Sequence, residues 1–466
     1  MDQAPTKIVL RGGRVIDPAS GFDASADILI EDGRIIEIQT KPGSLSGQHQ
    51  PGSLLLDVEG CLVTPGLIDP HVHLREPSVG QLHTETIASG SRGAACGGFT
   101  TVCCMPNTSP ALDCVDVLEL VQQQATKAML AGGSRVFAVV CATLGRKGAA
   151  TVDFSALSDA GAVGFSDDGD AVAQDEVMAK VLREVKKVDR VFMQHCQDPV
   201  MTIGSVMNTS PTATRLGLIG WPPEAESTLL ERDLKLNAEI GANYHAQHLS
   251  SRLSIAALRE AQSAGQNATG EASPHHLLLT DEFCDGYNTQ AKINPPLRSA
   301  EDVEALRTAI AQGVITVLAT DHAPHPPQTK DTDFASAAFG TIGLECALPL
   351  YAQALIETGV LNWPQMLAMM TINPARLVGL DDRGFGTLQV GGTADITIID
   401  PEMKWKIDPN AFHSPCNNSM FAGFSVKSRA VATIVAGRLV HGEEALMGRN
   451  RPTGSATSDQ TPISHA

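Results

Sequence analysis

Two kinds of hydrophobic spacing divide the chain. The first sixty residues alternate apolar and polar positions over short runs, "KIVLRGGRVID", "ADILIEDGRIIEI" and "SLLLDVEGCLVT". Gly12-Gly13, Asp32-Gly33 and a Gly/Ser/Pro-rich insert at 41–53 separate them. Alternation broken by turn residues predicts β-strands. The same texture returns near the end in "TADITIIDP" and "RAVATIVAGRLVHGE". Both terminal segments are therefore expected to build one small β-domain.

The middle of the chain follows another rhythm. Apolar runs of four to eight residues alternate with longer stretches of helical period. Strands are expected at 63–69, 100–105, 136–143, 162–166, 191–194, 243–247, 268–272 and 315–320, with helices such as 115–131, 175–188, 224–240 and 253–264 between them. Eight alternating units predict an α/β chain with a (β/α)8 TIM-like barrel beside a small β-sandwich made from both termini. The expected boundaries are 1–62 and 381–447 for the β-domain and 63–380 for the barrel, with a polar, disordered tail at 448–466. The competing architecture is an open doubly wound sheet. It would call for a Gly-rich phosphate turn, and neither a GxGxxG nor a Walker A pattern follows an early strand.

Composition narrows the function. Of 466 residues, 43% are apolar and 18% charged, which suits a globular protein with a large core. The balance of 34 basic against 52 acidic residues, −18 overall, argues against a broad nucleic-acid or anionic-membrane surface. No run reaches the length of a membrane span, and the N-terminus lacks the pattern of a secretory signal. The ten cysteines are scattered without a CxxC, so they read as small buried hydrophobes in a reducing cytoplasm.

The chemistry gathers where the barrel strands would end. "LIDPHVHLREP" sets His71, His73 and Arg75 at every second position, hence on one face of an extended chain. Later strand ends lead to Asn107, to Asp167-Asp168, to His195, to His248, to His275-His276 followed by Asn294, and to Asp321, His322 and His325. In such barrels the carboxyl ends of the strands carry the active site. Imidazole and carboxylate suit zinc or a similar divalent ion, and four His with two Asp exceed the needs of one tetrahedral ion. Asp321 is placed to take a proton from a metal-activated water and return it to a leaving nitrogen. Arg75 suits a two-pronged grip on a substrate carboxylate. Asp69 shares their parity and fits either a ligand-orienting role or strand-end packing. Asp167 reads as a turn residue and His275 and His276 as structural. His49, His83, His413, His441 and His465 stand in no pattern and are expected to be solvated. Together these residues describe a metal-dependent amide hydrolase for a small anionic substrate.

At this point a family resemblance enters. "DPHVHLREP", "GGFTTVCCMPNTSP", "FSDDG", "SPHHLLLTD", "INPPLR", "ATDHAPH" and "FGTIGLE" follow one another in an order and spacing that resemble the bacterial type I dihydroorotases of the amidohydrolase superfamily. The resemblance runs from about Lys7 to about Glu443. It implies one or two Zn2+ ions held by His71, His73, Asp168, His195, His248 and Asp321, with Asp321 also the proton shuttle. Arg75, Asn107 and His325 would hold the carboxylate of dihydroorotate or carbamoyl aspartate, and Asn294 and the Phe339–Gly340 backbone the rest of it. The implied reaction is the reversible closure of N-carbamoyl-L-aspartate to L-dihydroorotate in pyrimidine synthesis. It implies a cytoplasmic homo-oligomer, a dimer, with aspartate transcarbamoylase as a candidate partner. The usual "REPG" is "REPS" here, with Ser78 in place of the glycine and Gly80 two residues later. Asp168 stands where other cyclic amidohydrolases carry a carboxylated lysine, and 160–170 contains no lysine. That weighs against a dihydropyrimidinase, hydantoinase or allantoinase reading. The remaining alternative is a catalytically silent relative that scaffolds aspartate transcarbamoylase; such proteins lose metal ligands, and all six positions are kept here.

Overall fold

The computed structural model describes residues 7–45, 47, 53–79, 84–442 and 446. Most of the insert's second half (46 and 48–52), Gly80, His49, His83, His465 and the tail expected at 448–466 lie outside them.

Five strands open the chain: β1 (Lys7–Asp17), β2 (Phe22–Glu31), β3 (Arg34–Gln39), β4 (Leu54–Asp57) and β5 (Leu62–Pro65). Eight parallel barrel strands come next, β6 (Leu67–Val72), β7 (Phe99–Cys104), β8 (Arg135–Val140), β9 (Gly164–Phe165), β10 (Val191–Gln194), β13 (Asn243–Ala246), β14 (Ala268–Ala272) and β15 (Val317–Leu318). A short parallel pair, β11 (Met207–Asn208) and β12 (Gly220–Trp221), belongs to an excursion after β10. The chain finishes with β16 (Ile396–Lys406), β17 (Ser425–Val435) and β18 (Arg438–Gly442).

The barrel strands pair in chain order from β6 to β15. The ring closes where Val72 bridges His322 and the His73 N–H donates to the His322 carbonyl at 2.8 Å. The eight expected units are therefore all present. The first differs in its limits. Residues 62–65 pair with β1 and β16 in the β-domain, and the barrel strand begins only at Leu67. Gly66 forms the joint between them. A Cβ there would lie 2.0 Å from Thr100 Oγ1, so only glycine lets the chain cross so close to β7.

The helices bury the stripe that their spacing announces. In the helix Asp175–Lys187, Met178, Val181, Leu182 and Val185 face the barrel. Each contributes roughly 1.5–3 kcal/mol by leaving water. Asp175 and Glu176 in its first turn and Lys186 and Lys187 in its last complement the helix dipole. Helix α1 (Ile87–Cys96) starts from a capping box between Thr86 and Ser89.

The terminal segments meet in one mixed sheet, β18-β17-β16-β5-β1-β2-β3, with β4 also on β1. Its two hairpin ends touch, since a Cβ at Gly437 would stand 2.4 Å from the Gly33 Cα. The sheet thus closes over its own core of Ile8, Leu10, Ile28, Ile30, Ile396, Ile398 and Ile434, the sandwich expected from the sequence. Eight of the ten cysteines are buried; Cys96 is partly exposed and Cys114 exposed. One histidine departs from expectation: His441 is only partly exposed, and burial lowers its pKa to about 4. His413 is exposed as expected, and it is also bonded to Glu345. Among the described residues no helix is long and apolar enough to cross a membrane.

Candidate active site

The first barrel strand delivers its polar residues as the two-residue period requires. His71 is fully buried at the end of β6, and His73 follows one step beyond. Asp69, on the same face, accepts hydrogen bonds from the backbone N–H groups of His71 (3.0 Å) and Thr320 (3.2 Å). It ties the first strand to the last beneath the site. Burial raises its pKa to about 7 against those hydrogen bonds. Asp167 turns inward as a loop brace, accepting from the backbone N–H groups of Ala142 and Thr143 and from the Thr143 hydroxyl.

Six side chains converge at the mouth. His71 Nε2 lies 3.4 Å from Asp168 Oδ1 and 3.6 Å from Asp321 Oδ1. His73 Nε2 lies 2.9 Å from Asp321 Oδ1 and 3.3 Å from Asp168 Oδ2. On the other side, His195 Nδ1 is 2.8 Å from His248 Nε2, and these atoms lie 3.5 and 3.6 Å from Asp168 Oδ1. Asp168 therefore turns one oxygen toward His73 and the other toward His195 and His248. Neighbouring ligands around a tetrahedral zinc stand about 3.4 Å apart, given metal–ligand bonds of about 2.0–2.2 Å. The spacing at the mouth is of that kind.

Two atoms sharpen the match. His71 Nε2 and Asp168 Oδ1 are buried with no hydrogen-bond partner, although they face each other. An unpaired buried polar atom costs about 1–3 kcal/mol, and a cation between the two would satisfy both. The carboxylates are ready for one. Burial opposes ionisation of Asp168, yet His71 and His73 beside it hold its carboxyl well below the usual range. Asp321 is likewise held low against burial, through its bond to His73.

Each of three imidazoles is also tethered through its outer nitrogen. His71 Nδ1 meets Glu271 Oε1 at 2.6 Å, His73 Nδ1 meets Asn107 Oδ1 at 2.8 Å, and His195 Nε2 meets Gln197 Oε1 at 2.8 Å. Such contacts fix the tautomer and aim the inner nitrogen. Glu271 additionally accepts from the His248 backbone (3.1 Å) and pairs with His245 Nε2 (3.0 Å). Neither Glu271 nor Gln197 was expected from the sequence. A glutamate inside the apolar run 268–272 was a legible signal, as was a glutamine two residues beyond a ligand histidine. Glu85 was missed as well. It accepts from His322 Nε2 (2.8 Å), whose Nδ1 takes the Gly343 N–H (3.1 Å).

The opposite wall is cationic. Arg75 has a left-handed backbone (φ 54°), and its guanidinium reaches the Pro324 carbonyl (3.3 Å) and His325 Nε2 (3.4 Å). Burial first, then Arg75 and Lys330, lower the pKa of His325 to about 3, so it stays neutral. Asn294 donates to Gln197 Oε1 (3.0 Å), while its own Oδ1 is buried and unpaired. Lys292 Nζ stands 4.3 Å over the Phe339 ring. Of the expected Phe339–Gly340 backbone contact, the Gly340 N–H is already donated to the Lys292 carbonyl, and the Gly340 oxygen accepts from Asn418. Gly340 instead provides room, because a Cβ there would sit 2.9 Å from His325 Cδ2. His275 and His276 are buried, with pKa values lowered by burial, and His276 Nε2 bonds the Pro295 carbonyl.

The chain belongs to the amidohydrolase family, whose profile matches residues 62–440. Over 435 residues it is 42% identical to the dihydroorotase of Geobacter sp. (strain M21), covering 93% of this chain and 99% of that one. The same identity and coverage relate it to the dihydroorotase of Syntrophotalea carbinolica. Among solved structures it resembles the L-hydantoinase (dihydropyrimidinase) of Arthrobacter aurescens, with a TM-score of 0.80 and 26% identity over 94% of this chain and 96% of that one. The dihydropyrimidinase of Brevibacillus agri shares the fold, with a TM-score of 0.77 at 21% identity over 94% and 95% of the two chains.

Proposed function

We propose that this chain is a metal-dependent dihydroorotase that interconverts N-carbamoyl-L-aspartate and L-dihydroorotate, with one or two zinc ions at the barrel mouth. The observation that carries the reading is the pairing of a carboxylate-rich, imidazole-lined pocket with an arginine wall, in a chain 42% identical to dihydroorotases over nearly its whole length. His71, His73, Asp168, His195, His248 and Asp321 would hold the metal. When bound, the ions supply Lewis-acid polarisation of the reacting amide carbonyl and lower the pKa of water.

The chain's own residues do the rest. In the hydrolytic direction water oxygen bonds to the ring carbonyl carbon and the carbon–nitrogen bond breaks. Asp321 takes the proton from that water and delivers it to the departing nitrogen. In the cyclising direction the same carboxyl receives the carbamoyl nitrogen's proton and returns it to the departing oxygen. Arg75, with the Asn107 amide and neutral His325, holds the substrate carboxylate away from Asp168 and Asp321. Asn294 and Phe339 border the ring. Asn107 serves both walls, since its oxygen is used on His73 and its NH2 remains for the substrate.

We divide the chain close to the way the sequence suggested, with the catalytic barrel running from Leu67 to 380 and 1–65 plus 381–447 as the β-domain. The reading extends to a cytoplasmic homodimer, with aspartate transcarbamoylase as candidate partner, and sedimentation of the purified chain alone and mixed with that enzyme checks it. Turnover of dihydroorotate measured beside allantoin and dihydrouracil tests the substrate; preference for either of the latter overturns it. Metal analysis on the same sample separates a working enzyme, with one or two zinc per chain, from a metal-free scaffold.

A further inference from the structure

Outside the barrel mouth one more cluster has the composition of a metal site. Helix α1 begins beside Glu76, whose carboxylate accepts the Ile87 N–H at 2.8 Å, and ends at Cys96 about 14 Å farther along its axis. There Cys96 Sγ lies 3.9 Å from His413 Nε2. On the other side of that ring, Nδ1 is 3.1 Å from Glu345 Oε2, and the His413 backbone N–H donates to Glu345 Oε1 at 2.6 Å. One ligand atom from each of the three residues falls within 4.8 Å of the others.

We propose that Cys96, Glu345 and His413 form a separate binding site for a thiophilic divalent cation, zinc being the natural occupant. Thiolate, imidazole and carboxylate are zinc's three protein ligand types, and a Cys–His edge of a tetrahedral zinc site is about 3.5 Å long. The observed 3.9 Å is at the outer limit of a thiol hydrogen bond but within a few tenths of an ångström of that edge. Glu345 now bonds the Nδ1 side of the ring, and since the three ligand atoms already lie within 4.8 Å of one another, a small turn of the ring or the carboxylate completes the set. Glu345 is nearly buried against Gly93, where a Cβ would come within 3.0 Å of Oε1. Cys96 is partly exposed and His413 exposed, which gives a cation access and leaves a fourth position for water. Binding would release the Cys96 thiol proton to solvent as the sulfur–metal bond forms. None of the six residues assigned to the barrel centre takes part.

The three ligands come from three segments: α1, the 344–346 turn after the last barrel strand, and the 409–414 stretch between β16 and β17. A few residues past His413, Asn418 accepts the His325 N–H at 3.0 Å and donates to the Ala323 and Gly340 carbonyls at 3.0 and 3.2 Å. A cation here would therefore clip to α1 the segment that supports the arginine wall.

Cobalt separates this site from the barrel centre, because the centre offers only nitrogen and oxygen ligands. The full chain, its centre filled with zinc, is titrated with Co2+ and followed for thiolate-to-cobalt charge transfer. We expect a band that saturates at one equivalent, is absent from Cys96→Ser, and needs about tenfold or more cobalt in His413→Gln. Zinc should also slow alkylation of Cys96 by iodoacetamide about tenfold in the wild-type chain, read on the Cys96 peptide by mass spectrometry. That arm needs no variant, and dihydroorotate turnover reports folding in the others. No band in the wild type, a band that survives in Cys96→Ser, or alkylation indifferent to zinc overturns the proposal.

Discussion

The two walls of the barrel mouth carry opposite charge and are built by opposite means. The metal-facing wall gathers Asp168, Asp321 and Glu271, all buried, on a strand or three residues past one. The substrate-facing wall gathers Arg75, Lys292 and Lys330 with neutral His325, mostly on loops. Each wall lacks the countercharge that its ligand would bring: cations for the first, a carboxylate for the second. On the proposed reading, the strand ends would hold the ions and the longer loops would receive a substrate that must enter and leave. The following changes should separate these duties.

Asp321→Asn should have the largest effect. It keeps the shape of the side chain and removes the group that carries the proton, so turnover should fall by about a hundred- to ten-thousand-fold with substrate affinity little changed. Activity within a few fold of wild type would remove Asp321 as the proton carrier.

Glu271→Gln comes next and tests the metal wall from behind. The amide cannot offer His71 and His245 the two charged acceptors that they now share. Metal affinity should drop about 10- to 100-fold, with activity restored by excess metal. Unchanged metal affinity would make Glu271 a packing residue only.

Arg75→Met moves to the other wall. Losing a charge-assisted hydrogen-bonded grip costs about 1.5–3 kcal/mol, so KM for dihydroorotate should rise about 10- to 100-fold while metal content stays as in wild type. A loss of metal in this variant would mean that the walls are not independent.

The same contrast governs what the sequence could reveal. His71, His73 and Arg75 share a face because a strand has a period of two, and the other ligands announce themselves at the ends of successive apolar runs. Two of the three tethers behind them, Glu271 and Asn107, come from elements distant in sequence, while Gln197 lies only two residues past His195. Glu271 reaches His71 across two hundred positions, and nothing local in either segment records that contact. Gly340 shows another limit. A backbone group may be spent inside the protein, as its N–H is on Lys292, and only three-dimensional structure shows it. The junction at 62–67 read as one strand because Gly66 breaks the pairing without breaking the apolar run. His441 looked solvated, and the bond of exposed His413 to Glu345 went unseen, because the partners lie far away along the chain.

The smallest expected effect tests whether the cationic wall is held under tension by its own charges. Lys330 is buried, with Nζ donating to the carbonyls of Lys292 (2.9 Å) and Thr289 (3.1 Å). Burial, and then Lys292, lower its pKa from 10.5 to about 7. In the unfolded chain the amine keeps its proton up to about pH 10, whereas in the folded chain it gives it up near pH 7. Between those limits the unfolded state binds more protons, so this group makes stability rise with pH across that window. Lys330→Met deletes the contribution, and Tm measured from about pH 7 to 9 should climb less in the variant than in wild type. Parallel curves would show that Lys330 stays charged in the fold. The arginine wall would then carry one more positive charge toward the substrate than its burial suggests.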